Sequence, residues 1–463
     1  MLDLRDAKPS LTAAVNQLLD EAPYASALAQ TRSGTVCRVS TKSTEVEPVP
    51  PSFGAVLTAY NGRSLLEVAV PSLDDADIEA ATRKLLVLLK EQGVYDDGPA
   101  IDPGEPMDRD FAVDEQVPAG SIALSDKLAR AAGLKDRIHA ADRRVVNAVV
   151  RLTDMQTQEL FVGPGRRLYQ DLRRAETVAF VVMEEGGKAA NLHTGHGAHG
   201  GAEHFHLDDE EVSSLVVDCA SLLTASRIEG GTYDCVFDGE MAGLFAHEAF
   251  GHGTEADMFT RRRAKGAAYL GQRVASDLVD MFDDPSLEGQ AGSYFFDHEG
   301  QLASRTQIIE HGILKQPMTD LISAAKLGAK RTANGRRESV SRKAYTRMSN
   351  TFFGGGDATV DDLLRKMGNG LFVRRARNGM EDPKGWGIQC EAYLAEEVKG
   401  GQRTGKVYSP IIITGYVPDL LMSIDGVSRD VVIGGLGMCG KGYKEWVKVT
   451  DGGPALKLKA RVA

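Results

Sequence analysis

The sequence predicts an α+β protein of two domains. Three observations carry this. Strand-like runs cluster and are followed by helices, without the regular strand–helix alternation of a parallel sheet. A Gly-rich break, 228–232, separates a helix-containing half from a half dominated by short β-like runs. The chain has 463 residues, 42% of them hydrophobic, enough for two cores and too apolar for general disorder. The boundaries that follow are 1–227 and 228–463.

Taken in order, 55–57 and 66–70 read as strands joined across Asn61-Gly62, a hairpin signal. Residues 74–90 read as an amphipathic helix, with Ser72 and Asp74 as cap candidates and Ile78, Ala81, Leu85 and Leu88 on one face. The stretch 96–120 is rich in proline and aspartate and reads as a long connection. Residues 125–132 predict a helix, and 145–151, 159–163 and 177–184 predict three separate strands. Residues 208–227 predict a helix facing inward through Val212, Leu215, Val216, Cys219 and Leu223. Beyond residue 232, strand-like runs fall at 308–309, 371–374, 407–414, 431–433 and 455–458.

Charge and composition exclude several function classes. The net charge is −11, and the dense basic run Arg261-Arg262-Arg263 is short, so nucleic acid is not an expected partner. No apolar run approaches the roughly 20 residues of a spanning helix, so no membrane partner is expected. The start of the chain lacks a signal-peptide core. Five scattered cysteines read as reduced thiols, which predicts a cytoplasmic location.

One segment carries chemistry: His247-Glu248-Ala249-Phe250-Gly251-His252. Two imidazoles and a third ligand make an open zinc site, and an adjacent glutamate can accept a proton from water. The familiar spacing is H-E-x-x-H; here one residue is added. On a regular helix, five steps of about 100° put the two rings roughly 140° apart, too far to share an ion. The flanking Gly251 and Gly253 permit a bulge or a helix end there. His252 is therefore expected on a distorted helix end. For the third ligand, Glu255, Asp257 and a distant thiolate such as Cys439 all remain candidates. Asn334, Arg336 and Arg347 are candidate substrate-binding residues, because guanidiniums offer paired donors to a carboxylate; the plain alternative is surface arginines in turns. Arg336 and Arg347 are also candidates for stabilising an oxyanion. The histidine-rich tract holding His193, His196, His199, His204 and His206 reads as a flexible loop able to scavenge metal.

Together, HEAFGHGTEADMF, DHEG, IIEHGIL, NGRRES, RMSNT and GMCGKGYK, in that order, resemble the TldD/PmbA metallopeptidases. The likeness is strong over 233–463 and weaker before it. The sequence departs from the usual family pattern at the histidine-rich tract and around Trp386 and Cys390. The resemblance implies curved antiparallel sheets with flanking helices. It implies zinc held by His247, His252 and Cys439, with Glu248 as the base, as in the TldD-type active subunit. It also implies a TldE/PmbA-like partner subunit in a heterodimer or higher oligomer. Unfolded or leader-type peptides would be the substrates. A biosynthetic C–N hydrolase acting on a small conjugate, and a non-catalytic binding subunit, are the alternative readings.

Overall fold

The computed structural model describes residues 3–442 and 444–463. Its first unit is a sheet of seven strands with two helices at each end. Helix α1 (Lys8–Leu19) leads into the strands β1 (Tyr24–Ser40), β2 (Thr44–Tyr60) and β3 (Leu65–Val70), then helix α2 (Asp75–Gln92). Strand β4 (Met107–Ala112), helix α3 (Leu124–Ala141), strands β5 (Val145–Gly163), β6 (Arg166–Glu185) and β7 (Lys188–His199), and helix α4 (Asp209–Thr224) complete it. The sheet order is β3-β2-β1-β5-β6-β4, with β7 also on β6. All pairings are antiparallel except β4 with β6.

The amphipathic faces place the helices. In α2, Ile78, Ala81 and Leu85 are buried with Leu89, and they join Leu11, Val15 and Leu18 of α1 in one core. Leu88, expected on the same face, is half-buried. In α4, Val212, Leu215, Val216, Cys219 and Leu223 are all buried as expected, and they pack with Leu134 and Ile138 of α3. Asp208 caps α4, its carboxylate accepting from the Glu211 amide at 2.8 Å.

Four expectations for this half need correction. The runs 145–151 and 159–163 belong to one strand, β5. Its polar middle, Asp154 to Gln158, breaks the apolar pattern, yet it pairs on both sides with β1 and β6. The presumed connection 96–120 contains β4, added at the sheet edge beside β6. The helix at 125–132 runs on to Ala141. The histidine-rich tract is not a loop: His193, His196 and His199 lie on β7, followed by a short turn at Ala202–His204. Glycine misled the reading. A Cβ on Gly195 would stand 2.2 Å from the Thr177 carbonyl oxygen, so the close approach of β7 to β6 requires glycine there.

The second unit starts with β8 (Gly231–Phe237). Among the described residues, no sheet mixes strands from before and after residue 228. Strand β8 pairs with Gly370–Asp382 and with Leu456–Val462. Ile411–Tyr416 joins Leu456–Val462 to Gly387–Lys399, which pairs back onto Gly370–Asp382. These five strands thus close into a ring, which leaves little open edge. The run expected at 407–414 is two strands, Gln402–Tyr408 and Ile411–Tyr416, interrupted at a cis Ser409-Pro410 bond. A second, six-stranded sheet includes Asn350–Phe353, Thr450–Gly453 and Val432–Gly434. The whole is α+β. Helix α5 (Gly239–Ala246) lies between the two sheets, its Met241, Ala242, Phe245 and Ala246 sharing a core with Phe237, Leu371 and Phe353.

A candidate metal centre

Helix α5 begins at Asp238, whose side chain accepts from the Met241 amide at 2.8 Å. It is regular as far as Ala246. The next five residues, His247–Gly251, form a π turn, and His252–Thr254 form a short 3₁₀ turn. The His252 amide donates to the His247 carbonyl, an i→i+5 bond. Such a turn absorbs one extra residue, so side chains five apart stack on one face. The added residue in the motif is thereby accommodated, as the glycines suggested. A Cβ on Gly251 would stand 2.2 Å from the Met348 sulfur, so this turn packs too closely for a larger residue.

Three ligand-type atoms then converge. His247 Nε2 lies 3.2 Å from Cys439 Sγ, and His252 Nε2 lies 3.3 Å from it. All three lie within 4.8 Å of one another. Ordinary zinc–sulfur and zinc–nitrogen bonds at a tetrahedral angle would separate the atoms by about 3.6 Å. The two nitrogen–sulfur distances are therefore within a few tenths of an ångström of those a zinc ion would set, and the donor set fits zinc. Of the two sequence-local alternatives, neither joins the trio. Glu255 stands behind His252, its Oε2 3.3 Å from Nδ1, and Asp257 accepts from Lys441 at 2.7 Å.

The surroundings hold this trio in a metal-ready state. Burial alone would push the Cys439 thiol up; the facing rings of His252 and His247 reverse that and hold it well below its ordinary range. Burial works against a charged His247, but the thiolate outweighs it and raises the imidazole to about 9. Behind His247 stands Asp451, 3.7 Å from Nδ1. The carboxylate bonded behind His252 would fix that ring with Nε2 toward an ion, whereas among the described residues the buried His247 Nδ1 has no hydrogen-bond partner. Glu255 is bound in turn by Arg347 at 3.2 Å and Lys441 at 3.1 Å. Arg347 also donates to Cys439 Sγ at 2.9 Å and to the Glu445 carbonyl.

Glu248, beside His247, packs against the hairpin of Gly370–Asp382 and Gly387–Lys399. A Cβ on Gly379 would stand 2.4 Å from Glu248 Cγ, so only glycine leaves it room. The same hairpin brings Glu381 to the site, where both carboxylate oxygens are buried and, among the described residues, without a hydrogen-bond partner. Burial, then the charges of Glu248 and Glu255, push Glu381 up to about 9, although His252 opposes them. Trp386 locks the hairpin tip. It is fully buried, its ring 5.4 Å from Phe250 in the π turn and 4.7 Å from Tyr269.

Arg336 and Arg347 are both buried, which sets aside the alternative of surface arginines in turns. Asn334 is fully buried and donates to Asp283 at 2.7 Å and to the Arg347 carbonyl at 3.0 Å. Both of these bonds come from Nδ2; among the described residues the buried Oδ1 of Asn334 has no hydrogen-bond partner. Arg336 donates to the Met348 carbonyl and, at 2.8 Å, to the Lys448 carbonyl. Arg347 donates to the Cys439 sulfur and to Glu255. Sequence reasoning missed Asp451, Lys441 and Glu381. Lys441 was two residues from a candidate ligand and was the one with a usable signal.

Comparison with known proteins shows the family. The family model described as the PmbA/TldA metallopeptidase C-terminal domain matches residues 230–462. The chain belongs to the PmbA/TldD metallopeptidase family. A metalloprotease of Methanothermobacter thermautotrophicus is 30% identical over 366 residues, 75% of this chain and 79% of that one. A metalloprotease TldD homolog of Buchnera aphidicola is 30% identical over 335 residues, 69% of this chain and 68% of that one. In structure, TldE from Thermococcus kodakarensis matches with a TM-score of 0.78 at 14% identity, covering 98% of this chain and all of that one. That PmbA/TldD likeness in structure shows the shared fold. Among the described residues, no helix is long and apolar enough to cross a membrane.

Proposed function

We propose that this chain is a zinc-dependent peptidase-type hydrolase of the TldD type, cleaving amide bonds of unfolded or leader-type peptides. The observation that carries the reading is the convergence of His247, His252 and Cys439 around one point. These residues would hold the zinc, which when bound polarises the scissile carbonyl and makes a water acidic enough to attack near neutral pH. Glu248 is the proton acceptor for that water and returns the proton to the leaving amine. Glu255 orients the His252 imidazole, and Arg347 secures the thiolate. The fold shared with TldE supports a TldE/PmbA-like partner subunit in a heterodimer or higher oligomer. Five free, buried cysteines support a cytoplasmic location. The division into 1–227 and 228–463 belongs to the same proposal and is supported by the separate sheets.

The test is zinc content by elemental analysis of the untagged protein, beside His252→Ala and Glu248→Gln. The His252→Ala variant controls for metal on the histidine-rich strand. Wild type should hold about one zinc and His252→Ala none. Glu248→Gln should keep its zinc and lose roughly 10²–10⁴-fold in peptide cleavage, assayed with the partner subunit present. Equal zinc in wild type and His252→Ala would overturn the site. Near-normal cleavage by Glu248→Gln would overturn the base.

A further inference from the structure

A cavity of about 200 Å³ lies between the first sheet and the loop that carries Cys439. Its walls include Arg32, Arg151, Arg174, Arg336, Arg337 and Lys448 against four carboxylates, Glu159, Glu176, Asp297 and Glu338. The cations exceed the anions by two. The four carboxylates are also engaged. Glu159 faces His298 at 3.0 Å, and Glu176 faces Lys448 at 2.5 Å. Asp297 accepts three backbone amides, and Glu338 accepts the Glu445 amide at 2.9 Å.

Two buried guanidiniums are left without a counter-ion. Arg174 is 8% exposed and Arg336 is 6% exposed. Among the described residues, neither they nor Arg32 has a carboxylate within 4.0 Å. Among the described residues, Arg174 makes one long bond, 3.5 Å to the Ser293 carbonyl, and its buried Nε has no partner. Burial, then the neighbouring charge of Arg336, pulls Arg174 down to about 10. Like charges held together in a low-dielectric wall are costly unless an anion joins them.

We propose that this cavity binds a carboxylate through the Arg174 guanidinium, with Arg32 and Arg336 adding to the field. Arginine presents paired N–H donors that match a carboxylate's two oxygens. The fixed carboxylates in the wall repel a phosphate dianion more than a carboxylate monoanion. Leu172, Leu436 and Trp446 in the same wall suit the aliphatic stem of an acidic residue. The cavity adjoins the metal centre, because Met438, which lines it, precedes Cys439 in a two-residue strand paired with Val447–Lys448. On the function proposed above, the carboxylate belongs to a peptide, as an acidic side chain or a C-terminus. Its part in positioning a peptide for cleavage rests on the function proposed above; the binding itself does not.

The experiment is calorimetric titration of the full chain, zinc-loaded and metal-stripped, with acetyl-Ala-Glu-amide, its Gln counterpart, acetyl-Ala-Ala with a free C-terminus, and inorganic phosphate. The Glu peptide, or the free C-terminus, should bind at least about tenfold more tightly than the Gln peptide. The preference should survive metal removal and vanish in Arg174→Gln. Arg32→Ser, at a half-buried position, should weaken it and serves if Arg174→Gln does not fold. Equal binding of charged and uncharged peptides, a preference that persists in both variants, or phosphate binding more tightly than either carboxylate would each overturn the proposal. Binding that persists without zinc keeps this result separate from the fate of the peptidase reading.

Discussion

Replacing Arg347 by methionine separates a supporting role from a substrate-binding one. Arg347 is fully buried, and its donors reach Glu255, Cys439 and the Glu445 carbonyl. Methionine fills part of the volume but supplies no donor. Removing one partner of a buried ion pair costs about 3–5 kcal/mol, because the remaining charge stays buried. Here Glu255 keeps Lys441 at 3.1 Å and His252 at 3.3 Å, so the cost belongs at the lower end, about 3 kcal/mol. That corresponds to a fall of roughly 6 °C in melting temperature for the unit concerned. The thiolate also loses its donor, which should weaken zinc binding by about 10–100-fold. Urea unfolding and competition with a zinc chelator measure the two effects. Arg347→Lys keeps the charge without the fork and should fall between wild type and Arg347→Met. Wild-type stability and zinc affinity in Arg347→Met, with only a raised KM, would refute this reasoning and return Arg347 to the substrate.

Three further outcomes follow from the packing. Gly379→Ala should displace Glu248, costing about 1–3 kcal/mol of stability and lowering cleavage while zinc stays bound; thermal melts and elemental analysis check both. Trp386→Ala should cost about 3–5 kcal/mol in urea unfolding, because alanine leaves a cavity and keeps the left-handed φ of 60°. Glu299 is buried, and burial with the charges of Asp320 and Asp297 pushes it up to about 8. Its folded value lies above its unfolded one, so it adds stability below about pH 4.5 that is lost as pH rises toward 8. Glu299→Gln should flatten that decline by on the order of 2 kcal/mol between pH 5 and 8, read from unfolding curves at each pH.

Much of the site was legible because its residues are close in sequence. The pair His247 and His252 with Glu248 between them, and the glycines that admit a bulge, could be read directly; so could the faces of α2 and α4, since periodicity maps onto burial. Other elements were hidden for physical reasons. Strand β5 continues through a polar middle because both neighbours supply backbone hydrogen bonds whatever its side chains are. Strand β7 looked like a loop because the glycines that allow close strand approach are also turn residues.

The sequence by itself determined the chemistry on offer: a histidine pair, its glutamate, the free thiols and the membership of a family through ordered motifs. Only the tertiary structure decided how these are used. Cys439 is 187 residues from His252, and no local rule brings a thiolate to a helix end. The closed five-stranded ring and the second sheet do so, by fixing the loop over the π turn. The same packing buries Arg347 and Arg336, which in sequence look like surface residues. A guanidinium's role depends on which acceptors surround it, and those acceptors come from distant parts of the chain.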